Sequence, residues 1–409
     1  MHAQAPLSER DRRRGLLFVG IAAGFVGCAL YLQMSLNNNF LVGEIGISGF
    51  QAGLLEAVRE SMGILALGVL ALIAGLAEPL IATLALVLVA AGLGAYAFVP
   101  SYATVMGMSV VWSLGFHVWA PLPSSMTLAL AEPGMAGRRL GRVAASGALG
   151  SGIGLAIAFA LTALGVRIRP LYVVAGAAGA VAAAACFGIP RGIKVPGPKF
   201  VFRRRYGMYY GLNFLEGWRK QIALAFGGFL LVKVYGAPLL VMLGLWGANQ
   251  LIGYFAAPVV GRAIDRIGER KVLTLYYLLV SLFFVVYAFV RVREVLFAVY
   301  VLDNATFVFA TGLTTYVNRI APKSEHTPTL SMGVAFNHVA SVTMPFLGGI
   351  LWATLGYRWA FLVGIPAAVA SIAIVQRLPG GRSQAQAVGE VPEPGAAVSP
   401  RVPTSPSQR

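Results

Sequence analysis

Long apolar stretches separated by short polar connections make up most of the chain. In order, the hydrophobic and polar positions give twelve such stretches, at residues 15–38, 49–75, 79–99, 102–130, 143–165, 169–189, 207–233, 237–260, 272–290, 294–319, 328–355 and 358–377. A helix crosses the hydrocarbon core of a bilayer in about 20 residues, so each stretch predicts one transmembrane helix. The short connections make successive helices antiparallel neighbours. Only 190–206 is both long and charged, and it divides the helices into two sets of six. The predicted organisation is a cytoplasmic N-terminal segment over 1–14, a six-helix bundle over 15–189, a cytoplasmic linker over 190–206, a second bundle over 207–377 and a disordered cytoplasmic tail over 378–409. The tail is rich in Pro, Ser, Gly and Ala and has no apolar period. The fold class is therefore all-α integral membrane, with twelve transmembrane helices in two pseudo-symmetric six-helix bundles.

Matching marks support a duplicated bundle. Leu164-Gly165-Val166-Arg167 ends the fifth stretch and Leu355-Gly356-Tyr357-Arg358 ends the eleventh, 191 residues later. Glu78 follows the second stretch as Asp265 follows the eighth, 187 residues apart. Two halves of nearly equal length with marks at corresponding places fit an internal repeat.

Composition removes the soluble alternatives. The chain is 58% hydrophobic and 11% charged, against about 25% charged residues in a soluble protein. That excludes a water-soluble enzyme. Lys and Arg number 32 against 15 Asp and Glu. With the N-terminus inside, 23 of the 32 fall on inner segments and 6 on outer ones, while Arg59, Arg219 and Lys220 lie within spans. The positive-inside bias puts both termini in the cytoplasm and the chain in the cytoplasmic membrane. Scattered over six inner segments, the basic residues form no nucleic-acid surface. The basic start resembles a signal peptide, but its apolar run exceeds the usual 7–15 residues or so; a retained first helix is expected. Cys28 and Cys186 are isolated within apolar runs and read as small buried residues. No disulfide, metal site or cofactor is expected.

After the eighth stretch comes Gly261-Arg262-Ala263-Ile264-Asp265-Arg266-Ile267-Gly268-Glu269-Arg270-Lys271. Gly261 permits close helix approach, and Gly268 permits a tight turn with positive φ. Asp265 suits an arginine partner or a helix N-terminus. Arg266, Arg270 and Lys271 suit the headgroups. This segment resembles the signature loop of the major facilitator superfamily, G-x-x-x-D-R-x-G-R-R-K. Two departures stand out: Glu269 occupies a basic position, and the first-half copy, Ala74-Gly75-Leu76-Ala77-Glu78-Pro79, lacks basic residues. The resemblance implies a monomeric carrier working by alternating access. Its site would be formed by the first, fourth, seventh and tenth helices, with a cytoplasmic latch resting mainly on the second half. In the fifth stretch, the glycines of Gly147-Ala148-Leu149-Gly150-Ser151-Gly152-Ile153-Gly154 stand at spacings that favour close packing. That run lacks the proline of the drug-proton antiporter motif it superficially resembles.

The charges within spans are the candidate functional groups. Glu56, Arg59 and Glu60 lie in the second span, and Glu216, Arg219 and Lys220 in the seventh. Each trio has i, i+3, i+4 spacing, which puts it on one helix face. A charge alone at mid-bilayer costs about 2.5–3.5 kcal/mol on the insertion scale, so these groups must face one another or a wet cavity. Signs cancel across the two trios, and the expectation is an ion-pair network between the halves that gates the outer side, with Glu60 coupled to Arg219. Permanent networks within each half are the alternative. Arg219 and Lys220 suit a carboxylate or phosphate. Asp303, without a charged neighbour on its helix, suits a proton, a cationic group or a hydrogen bond to Asn304. His117 and His338 either link helices by hydrogen bonds or titrate, and Asn337 fits either role. Trp112, Phe116 and Trp119 share a helix face, for packing or for stacking on a substrate. The Asn37, Asn38 and Asn39 run at the outer end of the first helix reads as a helix end or a substrate contact.

The function this implies is secondary active transport of a small organic solute, anionic or zwitterionic, coupled to protons. Its partners are that solute and the lipid bilayer. An efflux pump for amphipathic drugs or metabolites is the alternative; a membrane sensor and a membrane-embedded enzyme are remote ones.

Overall fold

The computed structural model describes residues 8–132, 134–194 and 202–378. Among these residues, twelve helical rods follow one another. In the first half, α1 spans Glu9–Phe40 and runs on through a π turn at Leu41–Ile45, ending where Gly46 takes φ 77°. Ser48 then opens α2, Gly49–Leu72, with a capping box to Gln51. Next come α3 (Glu78–Ala95), α4 (Tyr102–Trp119, continued by Leu122–Leu130), α5 (Ala136–Ala163) and α6 (Ile168–Ala185).

In the second half, α7 comprises Gly207–Gln221, a π turn over Ile222–Gly227 and Gly228–Lys233. The helical stretch Leu239–Phe289 turns sharply at Gly268, where φ is 81°, which makes it α8 (239–267) and α9 (269–289). The rod α10 comprises Arg293–Ala305, a 3₁₀ turn at Thr306–Ala310 and Thr311–Ile320. Last come α11 (Lys323–Leu355) and α12 (Tyr357–Leu362 with Gly364–Val375). Among the described residues, nine helical stretches are long and apolar enough to cross a membrane. Helices α8 and α9 count there as one, and the two charged helices, α2 and α7, are not among them. This is an integral, multi-pass membrane protein.

The end of the bundle holding Glu9 and Leu378 is called basal here, and the opposite end distal. Buried apolar side chains form one main cluster across α1–α6 and another across α7–α12. Glycines set the first: a Cβ on Gly150 would collide with the Gly24 carbonyl, and one on Gly154 with that of Cys28. The two halves meet from the distal end to mid-depth. There Gly53 of α2 sits against the Pro345 carbonyl and Gly349 of α11, and Gly49 against the Trp352 ring. Asn39 Nδ2 donates to the Ala237 carbonyl (2.9 Å), and the Tyr31 hydroxyl to Gln250 Oε1 (2.9 Å).

Several expectations need correction. The helix begins at Glu9 instead of residue 15, because the Ser8 side chain accepts from the Asp11 amide and caps it. Asn37, Asn38 and Asn39 lie inside the helix, facing a neighbouring residue or the second half, and do not end it. Leu378, placed in the tail, is buried in the second core; the rest of the tail and residues 195–201 of the linker lie outside the described residues. Trp352 packs between Phe226, Phe229 and Tyr357 at the seam between the halves.

The signature segment is also rearranged. Gly268 makes the positive-φ turn, but a Cβ on Gly261 would meet nothing within 4 Å, so no close approach needs it. Asp265 is exposed on the last turn of α8. The buried acid is Glu269, one residue past the turn, which pairs with Arg319 at 3.1 Å. Arg270 donates to Gln376 Oε1; Arg266 and Lys271 are exposed. Glu269 is also the better partner for Glu78 in the repeat. Both are buried acids at the start of a helix, 191 residues apart, the interval that separates Arg167 from Arg358.

Candidate functional site

Two charge clusters form at mid-depth, one in each half. In the first, Arg59 pairs with Glu56 on the same helix and with Glu60 at 3.0 Å, and its guanidinium lies over the Trp112 ring, 5.6 Å from the centroid. The Ser113 hydroxyl donates to the Arg59 carbonyl (2.8 Å), which ties α4 to α2 at that level.

The second cluster is built on Arg219, which is 1% exposed. Its Nη2 donates to Thr306 Oγ1 (2.7 Å) and Asp303 Oδ1 (3.1 Å), and Glu216 lies at 4.0 Å. The guanidinium sits over the rings of Phe307 (4.3 Å) and Tyr276 (5.0 Å), and the Tyr276 hydroxyl donates to Glu216 Oε1 (2.7 Å). Irregular backbone brackets this pair. The π turn of α7 begins three residues after Arg219, and the 3₁₀ turn of α10 begins three after Asp303. Such turns recur at functional sites because they re-aim side chains and carbonyls.

This geometry corrects the expected pairing of Glu60 with Arg219. Arg219 turns into its own bundle, where Asp303 supplies the countercharge that α10 alone did not show. Arg59 answers Glu56 and Glu60 within the first half and leaves that trio one negative charge over, Arg219 answers Asp303 and Glu216 within the second, and no Glu60–Arg219 pair forms among the described residues. Asp303 is correspondingly an ion-pair partner and not a lone carboxylate.

Across the seam, Glu60 feels the charge of Lys220 and faces a histidine of the second half. His338 of α11 places Nδ1 at 3.7 Å from Glu60 Oε2 of α2. The His338 ring meets that of His117 of α4 edge to face, with centroids 5.4 Å apart. Gly63, one turn beyond Glu60, makes room for them: a Cβ there would lie 2.6 Å from the His338 ring and 3.0 Å from that of His117. Nothing in the local sequence marks these three as neighbours, since they come from three helices.

Lys220 differs from Arg219, one residue away. Its Nζ donates to Asn337 Oδ1 (3.1 Å), and Asn337 Nδ2 donates to the Asn213 carbonyl (3.1 Å). These side chains, with Glu216, Tyr209 and Phe307, line a cavity of about 430 Å³ between mid-depth and the basal end of the second half. A cation and a carboxylate on one wall can hold a solute carrying either charge or both. Trp119 lies elsewhere: with Trp112 it is buried in the first core and faces no such cavity. Thr306, Tyr276 and Phe307 were not singled out from sequence, although Thr306 stands three residues from Asp303.

Comparisons with known proteins agree with this architecture. Residues 221–403 match the family model described as Major Facilitator Superfamily. A search of curated proteins by sequence finds no match. Among solved structures, the fold is similar to the nucleoside transporter NupG (TM-score 0.72, 12% identity, covering 89% of this chain and 98% of that one). It is similar also to a POT family transporter in complex with 5-aminolevulinic acid (TM-score 0.68, 14% identity, 89% and 95% covered). A third is a bacterial homolog of the human lysosomal transporter Spinster, inward-facing and unoccupied (TM-score 0.64, 13% identity, 94% and 97% covered). The family match covers 221–403, the second half, and the twelve rods in two six-helix bundles among the described residues give the whole chain a fold similar to those transporters.

Proposed function

We propose that the chain is a secondary transporter moving a small anionic or zwitterionic organic solute across the cytoplasmic membrane, as a monomer, by alternating access. The basal end, rich in Arg and Lys, faces the cytoplasm. In this state the seam between α2 and α11 is closed from the distal end to mid-depth, and the cavity beside it lies toward the basal end. The single observation that carries the reading is Lys220 on a cavity wall with Glu216, while Arg219 is turned into the bundle onto Asp303 and Thr306. Lys220 receives the solute's carboxylate or phosphate, and Glu216 with Asn213 and Asn337 receives its polar or cationic end. Supporting this, one structurally similar transporter is bound to 5-aminolevulinic acid, which bears both charges. Proton coupling rests on the titratable groups at the seam, Glu60, His117 and His338.

A thermal-shift screen of small organic acids, amino acids and phosphates on the detergent-purified protein tests the reading. A ligand that binds the folded state raises the melting temperature by mass action. Lys220→Ala should abolish the shift from anionic compounds. Retention of every shift in that variant would remove Lys220 from the site.

A second groove favours the amphipathic alternative. Between α1 and α5, about 830 Å³ is lined by Arg13, Arg139 and Arg142 at the basal end and by apolar residues such as Leu17, Phe25 and Ile153 further in. An amphipathic anion would fit it, with its charge at the arginines.

A further inference from the structure

We infer that Glu60, His117 and His338 form a binding site for a borderline divalent transition metal of the zinc class, shared between the two halves. One ligand atom from each lies within 4.8 Å of the others. Around zinc, nitrogen and oxygen ligands at about 2.0–2.1 Å in tetrahedral array sit roughly 3.3 Å from one another. The Glu60–His338 pair is already at 3.7 Å, so small side-chain rotations complete the set. Two imidazoles and one carboxylate, with the fourth position left to water, form a known class of zinc site.

The second shell supports the assignment. His117 Nδ1 lies 2.8 Å from the Ser113 carbonyl, which only accepts, so Nδ1 carries the proton and the Nε2 lone pair is free. Metal-bound histidines commonly donate their other ring N–H to a backbone carbonyl in this way. His338 Nδ1 is buried with no hydrogen-bond partner among the described residues. Glu60 uses Oε1 for Arg59 and directs Oε2 toward His338. The nearby cations Arg59 and Lys220 oppose a hard ion held only by oxygen charge. They are outweighed only by the directional nitrogen bonds of a transition metal, so magnesium and calcium are excluded. Because Glu60 and His117 belong to the first half and His338 to the second, the bound metal ties the halves together at the seam. Transport need not be known for this inference to be tested.

The test is zinc binding by the full-length protein in detergent, free of any affinity tag, by calorimetry and thermal shift. One zinc per chain and a raised melting temperature are expected, with no response to magnesium or calcium. His117→Gln and His338→Gln should each weaken zinc about tenfold or more, while His326→Ala should leave it unchanged. Should either ligand variant fail to fold, cobalt bound to the unaltered protein replaces the comparison. A tetrahedral visible spectrum bleached by one equivalent of zinc supports the site, and an octahedral one overturns it. Equal zinc affinity in all variants, or no zinc response in the unaltered protein, also overturns it.

Discussion

Arg219 Nη2 and Asp303 Oδ1 stand 3.1 Å apart, on two helices of the same bundle, with side-chain exposures of 1% and 0%. Removing one partner of a buried pair costs about 3–5 kcal/mol, because the other is left charged and dry. Asp303→Ala and Arg219→Ala should therefore each lower the melting temperature markedly. The double variant should be less destabilised than the sum of the two. A cycle on Glu60 and Arg219 should instead come out additive, because Glu60 pairs with Arg59 and Arg219 with Asp303 in separate clusters. Strong coupling in that second cycle would restore a network between the halves.

How far the sequence reveals this protein depends on whether a feature is local. The twelve rods follow from runs of apolar residues, and the turn at Gly268 follows from a glycine in a basic connection. Both are properties of adjacent positions. The partner of Arg219 is not: Asp303 lies 84 residues away, and the spacing rule that groups Glu216 with Arg219 and Lys220 does not show which way each side chain turns. Adjacent residues leave a helix about 100° apart, so Arg219 enters the bundle while Lys220 reaches the cavity. The seam of Glu60, His117 and His338 is equally invisible, since three helices contribute one residue each. Asp265 misled for the opposite reason, because a family pattern drew attention to it while the buried acid was Glu269.

Glycine at 150 is a packing requirement, and its neighbour at 152 is not. A Cβ on Gly150 would run into backbone of α1, whereas one on Gly152 meets nothing within 4 Å. Overpacking of this kind costs about 1–3 kcal/mol. Gly150→Ala should lower thermal stability in detergent, and Gly152→Ala should leave it unchanged. Equal effects would mean that α1 and α5 are not in close contact.

At the basal end, hydrogen bonds from Arg205 and Tyr206 hold the Glu325 carboxyl below the usual carboxylate range. A group with a lowered folded-state pKa contributes stability above its unfolded value, about 4.3 for Glu. That contribution is lost as the pH falls through the folded value. Melting temperature plotted against pH should therefore fall less on its acid side in Glu325→Gln than in the unaltered protein. Between pH 6 and 8 or so the offset between the two should be constant. A Glu325→Gln curve parallel to that of the unaltered protein at every pH would remove this contact from the acid response.

Flux across a membrane is the most direct test of the central claim. The full-length protein is reconstituted into liposomes, and uptake of the compound that most stabilises it is followed with and without a pH gradient. The account predicts saturable uptake, accelerated by the gradient and lost in Lys220→Ala. Uptake that rises linearly with concentration, matching protein-free liposomes, would contradict it.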